Sequence, residues 1–259
     1  GALYASGKTA DEIEQVILGI EWKDQFNDTL PRQQRSLRRK SDDYARLAPI
    51  GVGLHGRNNK GVTVAAGFAQ GQKLLALFEE ETGIARTSGS FDDLPIPFRA
   101  TATDLNTGKV VVLDHGSLAM AMRASMSLPG IFRPVEIDGK VLLDGGLANN
   151  VPVDVVRAMG AERIIAVDVG TPLAPLTRDA SMLEVMGQLT GFLTTGNTAQ
   201  QVSALQTADV LIKPALDGKV ATADFEKGAL AMEVGKEAAD AASGELARLA
   251  VPQAQYARF

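Results

Sequence analysis

A chain of 259 residues can fold as one α/β domain with a sizeable core, and 45% hydrophobic with 22% charged residues excludes a disordered chain. The 26 basic and 31 acidic residues leave a net charge of −5, which gives nucleic acid no electrostatic footprint. Cysteine is absent, which excludes disulfides, thiolate zinc sites and a cysteine nucleophile; two histidines, His55 and His115, are too few for a multi-histidine metal centre.

Residues 1–7 read as the last turns of a small-residue helix stopped at Gly7. The chain opens in mid-pattern and without methionine, so its natural N-terminus is expected upstream. Thr9-Ala10-Asp11-Glu12 is a capping box, followed by Ile13, Val16, Ile17 and Ile20 at helical spacing. From Trp22 to Arg46 the chain is polar, with Arg38-Arg39-Lys40 as its densest basic cluster; this reads as a solvated loop, or alternatively as a contact for anionic lipid headgroups. Ile50 to Val64 is glycine-rich and loop-like, and a helix is expected from about Ala69 to Glu81, ending at Gly83.

Phe98, Ala100 and Ala102 alternate with Arg99, Thr101 and Thr103, as on a half-buried strand. Asp104 to Gly108 turns the chain, and Lys109 to Leu113 returns. Ser117 caps a short helix through Ser125, in which Met120 and Met122, with Met126 beyond, pack the core. After a Leu128-Pro129-Gly130 turn, Val135–Ile137 and Lys140–Leu143 form a hairpin through Asp138-Gly139. Pro152 opens a helix ending at Gly160. Arg163 to Val169 reads as a strand buried on both faces of a parallel sheet. Ser181 to Glu184 is a second capping box. The uncharged run Val185 to Ala208 is too polar to span a membrane, Asp209 to Lys213 is a late strand, and Asp224 to Leu249 is mostly helix. Neither a repeat nor a linker divides the chain.

Asp144 stands at the exit of the hairpin, followed by Gly145-Gly146-Leu147-Ala148-Asn149-Asn150. An acid at a strand end beside glycines suits chemistry, although Asp-Gly-Gly alone more often marks a turn. Asp168 closes the later strand and, on residue pattern alone, ranks level with Asp144. Asp104, His55 and His115 read as turn or loop polarity. Ser125 and Ser127 lack the flanking glycines of a nucleophile elbow and read as packing and hydrogen-bonding residues.

Two ordered segments, Ala124 to Phe132 and Asp144 to Pro152, together resemble the patatin-like phospholipase family. Ala102-Thr103-Asp104 and Ile164 to Gly170 match further segments of it, so the core resemblance covers residues 94–172. Gly1 to Gly7 resembles the end of the helix behind the family's nucleophile, and Gly71-Gln72-Lys73-Leu74 recurs in bacterial members. The tail through Phe259 is similar to members in which this domain precedes a secretion module with an outer-membrane barrel.

The resemblance implies one domain over residues 1–259: a three-layer α/β/α hydrolase with a central, mostly parallel sheet, truncated at its N-terminus. It implies a lipid acyl hydrolase with a serine–aspartate dyad and no cofactor or metal, acting on phospholipid or another acyl ester at a membrane surface. Asp144 maps onto the dyad base, with Gly145, Gly146, Asn149, Asn150, Ser125 and Pro129 around it. The chain holds no Gly-x-Ser-x-Gly and no glycine-rich oxyanion segment, so both are expected upstream and these residues alone are expected to be inactive. The missing front of the sheet is expected to leave apolar edges and faces exposed. A patatin-like module that binds lipid or a partner without turnover is the alternative. Export or outer-membrane association follows from the tail, with a cytoplasmic location as the other possibility.

Overall fold

The computed structural model describes residues 1–26, 54–56, 62–64, 67–83, 89–170, 173, 175–221 and 224–252. Helices Ala2–Ala5, Ala10–Gly19 and Trp22–Gln25 come first, then three-residue strands β1 (Leu54–Gly56), β2 (Val62–Val64) and β3 (Gly67–Ala69). The Thr9 box is reciprocal: Glu12 N–H donates to Thr9 Oγ1 at 3.3 Å, and Thr9 N–H donates to Glu12 Oε2 at 2.8 Å. A glycine-rich loop was the expectation for residues 50–64; it contains β1 and β2, paired antiparallel, because three-residue strands are too short to show an alternating pattern. The Arg38-Arg39-Lys40 cluster lies outside the described residues.

After helix Gln72–Thr82 come β4 (Ala100–Asp104), β5 (Val110–Leu113), helix Leu118–Ser125, β6 (Gly130–Phe132), β7 (Val135–Ile137) and β8 (Lys140–Asp144). The largest sheet has the order β5-β4-β8-β7, with every pair antiparallel. Two of its connections force this. The Asp104–Gly108 turn and the Asp138-Gly139 turn, both residues of the latter at positive φ, are far too short for a parallel crossover. Helix Leu118–Ser125 lies on this sheet. Ala121 and Ala124 let it approach closely, and Leu118, Ala102 and Leu142 are fully buried between the layers. Met120 and Met122 pack against the same cluster, as their spacing suggests.

The short helices Gly146–Asn149 and Val153–Ala158 lead to β9 (Ile165–Val167). The long helix Met182–Ser203 follows, opened by the reciprocal Ser181–Glu184 box, and then β10 (Val210–Ile212). The Asp224–Leu249 helix is broken into a 3-10 turn at Phe225–Lys227, helices Gly228–Ala241 and Ser243–Leu246, and a final 3-10 turn. Among the described residues no helix is long and apolar enough to cross a membrane.

Two features depart from the expected α/β/α arrangement. The described strands form separate sheets rather than one parallel sheet; parallel pairing is confined to β3–β6 and β9–β10. Nor is β9 buried on both faces. Ala166 packs with Val151, Val153 and Ile164, whereas Ile165 is 50% and Val167 49% exposed. The run is continuously apolar, but the described residues cover only one side of it.

Candidate active site

Asp144 is the last residue of β8, held by its backbone from three directions. Its N–H donates to Ser127 O at 3.0 Å, its carbonyl accepts from Thr103 Oγ1 at 2.8 Å, and Gly145 N–H donates to Ser125 O at 3.3 Å. Ser125 and Ser127 therefore serve the aspartate through their carbonyls. The Ser127 hydroxyl is fully buried and turned away, donating to Arg123 O at 2.8 Å. The chain between them and β6 folds as the expected turn at Pro129, with Ile131 and Phe132 N–H both donating to Leu128 O.

The Asp144 side chain is part-buried and, among the described residues, accepts one hydrogen bond at Oδ1, from Gly146 N–H at 2.8 Å. Burial pushes its pKa up from the ordinary 3.8 to about 6, against the opposing pull of the Gly146 N–H. A carboxylate poised there is still mostly ionised at neutrality yet holds a proton more tightly than an ordinary aspartate, which suits a general base. Gly145 is needed for close approach: a Cβ on it would lie 2.2 Å from Thr101 O in β4. Asn149 is buried and donates to Asp154 Oδ1 at 2.8 Å, while Asn150 donates through Nδ2 to Thr198 Oγ1 at 3.0 Å.

Asp168, the rival acid, repeats the local geometry, with Gly170 N–H donating to its Oδ1 at 2.9 Å. It differs in having a cation, since Lys213 Nζ stands 3.4 Å from its Oδ2. Geometry thus separates two acids that the residue pattern left level: Asp168 stands in an ion pair, whereas the hydrogen bond described at the Asp144 carboxylate comes from a backbone N–H. Asp104 is a turn residue, accepting from Asn106 N–H and the Thr107 hydroxyl. His115 is exposed and bonded to Asp114 at 2.6 Å, an interaction that raises its pKa; the Nδ1 contact and the isolated bridge to Ser90 keep it in a surface turn. A cavity of about 570 Å³ lined by Val16, Ile20, Leu77 and Glu81, among others, shares no residue with the Asp144 loop.

Residue pattern missed Arg123. It is 3% exposed and binds Ser127 Oγ at 2.7 Å, Gln70 O at 3.1 Å and Arg133 O at 3.3 Å, with its guanidinium carbon 4.4 Å from the Phe132 ring centroid. Gly71 makes room for it: its φ is +73°, and a Cβ there would lie 2.3 Å from Arg123 Nε. Arg123 thus ties β3 and β6 to the helix end that carries Ser125 and Ser127. Arg123→Met is expected to cost about 3 kcal/mol or more, because it takes a charged donor from two part-buried carbonyls and from the buried Ser127 hydroxyl. Urea denaturation measures this, and a midpoint unchanged from native would contradict it.

The patatin-like phospholipase family pattern matches residues 1–157. An uncharacterized NTE family protein of Mycobacterium tuberculosis is 37% identical over 116 residues, 45% of this chain and 31% of that protein. Patatin-like phospholipase domain-containing protein 7 of Mus musculus is 46% identical, and protein 6 of Homo sapiens 43% identical, each over 82 residues. Those matches cover 31% of this chain and 6% of the mammalian proteins. The chain belongs to the patatin-like phospholipase family.

Proposed function

We propose that Asp144 is the general base of a serine-dependent lipid acyl hydrolase, acting on phospholipid or another acyl-ester lipid. One observation carries this reading: a part-buried strand-end carboxylate with its pKa pushed up to about 6, one oxygen fixed by Gly146 N–H. In the reaction the ionised Asp144 takes the proton of a serine hydroxyl as that oxygen attacks the ester carbonyl. The leaving alcohol then takes the proton, and Asp144 next deprotonates the water that attacks the acyl-enzyme and returns that proton to the serine oxygen as the acid leaves. On this reading the serine and the donors that stabilise the oxyanion come from outside these 259 residues, which contain no Gly-x-Ser-x-Gly. Bacterial origin rests on the resemblance of Gly71-Gln72-Lys73-Leu74 and of the tail, and export or outer-membrane association on that of the tail, whose residues 253–259 lie outside the described structure.

The test is a pH–rate profile of short-chain ester hydrolysis by the full-length protein. The base works ionised, so the rate should rise about tenfold per pH unit below about 6 and level off above it. The 259 residues alone should be inactive. Absence of hydrolysis in the full-length protein, together with failure to react with a fluorophosphonate serine probe, would favour a non-catalytic module that binds lipid or a partner.

A further inference from the structure

The long helix Met182–Ser203 turns a polar stripe toward the Asp144 loop. Thr194, Asn197, Thr198 and Gln201 recur at helical spacing, and Asn197, Thr198 and Gln201 each bond the segment Gly146–Asp154. Asn197 spends its whole amide there. Its Nδ2 donates to Gly146 O at 2.9 Å and Leu147 O at 3.2 Å, and its Oδ1 accepts from Asn150 N–H at 2.9 Å. The amide orientation is fixed by its neighbours, since a flip would set NH₂ against an N–H and oxygen against two carbonyls. Helix Gly146–Asn149 is only four residues long, so its carbonyls sit at a helix end and take partners from outside it.

We infer that Asn197 is a positioning residue for Asp144, acting through the Gly146 peptide. One end of Gly146, its carbonyl, is held by Asn197; the other, its N–H, holds Asp144 Oδ1. The helix therefore sets the plane of the carboxylate and leaves Oδ2 to face the reacting hydroxyl. The inference rests on the reading of Asp144 as base, but its consequence for the side chain can be measured without turnover.

The experiment is a carboxyl ¹³C NMR titration of Asp144 in the full-length protein, with Asp144→Asn assigning the resonance. In Asn197→Ala the Gly146 N–H loses its fixed aim, so its pKa-lowering effect weakens and the Asp144 titration moves upward by about half a unit or more. Gln201→Ala removes a bond from the same helix to Asp154 N–H, one turn away, and should leave the titration in place while lowering stability comparably. Should Asn197→Ala fail to fold, Asn197→Gln carries the test, since it keeps the amide but displaces it by one methylene. In the same variants kcat for ester hydrolysis should fall at least about tenfold with KM little changed. A titration that stays put in the Asn197 variants, moves downward, or moves as far in Gln201→Ala would overturn the inference. If Asp144→Asn were fully active, the base assignment would fail while the titration result stood.

Discussion

Asp144→Asn in the full-length protein is expected to reduce ester hydrolysis by about three orders of magnitude while making the fold more stable at pH 8. The loss follows from removing the proton acceptor, a change worth roughly 10²–10⁴-fold in general-base catalysis. The gain follows from linkage. The folded-state pKa of about 6 lies above the ordinary 3.8, so the native state keeps its proton longer than the unfolded chain. Asp144's stabilising contribution is therefore complete below about pH 4 and is lost as pH rises through 6. Two pKa units correspond to about 3 kcal/mol, and asparagine still accepts the Gly146 N–H without carrying the charge. Urea unfolding should show a variant about 1–3 kcal/mol more stable than native at pH 8 and indistinguishable from it at pH 4. An active variant would refute the catalytic role, and one no more stable at pH 8 would refute the perturbed ionisation.

Gly145→Ala is the second large effect. The added methyl would meet Thr101 O at 2.2 Å and Thr101 Oγ1 at 2.5 Å. That carbonyl belongs to β4, which is bonded on both sides, to β5 and β8, and has no room to retreat. The Asp144 loop must move instead, giving up the Gly145 N–H bond to Ser125 and the aim of Gly146 at Asp144. A cost of about 3 kcal/mol or more is expected. Calorimetry should show this as a drop in Tm of roughly 6–12 °C for a chain of this size, and hydrolysis should fall in parallel. A native Tm would show that the loop has more space than the Thr101 contact allows.

Much of the site's local scaffold was readable because it is written in short-range chemistry. The Thr9, Ser117 and Ser181 caps, the Asp138-Gly139 turn and the methionines of helix Leu118–Ser125 depend on neighbours within a few residues, and the structure carries each of them. What escaped depends on distance. Arg123 looks like an ordinary charge on a helix, and its partners Gln70 and Arg133 are backbone carbonyls, which leave no mark in residue type. Asn197 sits in an uncharged run about 50 residues from the peptide it clamps, where polarity argued only against a membrane span. Strand β9 misled for the opposite reason: a continuously apolar run tells how much hydrophobic surface there is, not which side of it is covered.

The aromatic contacts between the chain's two ends bear on how it folds. Trp22 lies 5.2 Å from Phe225, and Phe26 lies 4.9 Å from Phe225 and 5.4 Å from Phe132, ring centroid to ring centroid. The antiparallel sheet draws on residues 100–144, close along the chain, whereas the Trp22–Phe225 contact closes a loop of about 200 residues. Local pairing forms before distant closure when loop entropy sets the order. Trp22 is the chain's one tryptophan, so its fluorescence reports the late event while backbone circular dichroism reports the early one. The protein thus carries its own clock for the order in which its parts assemble.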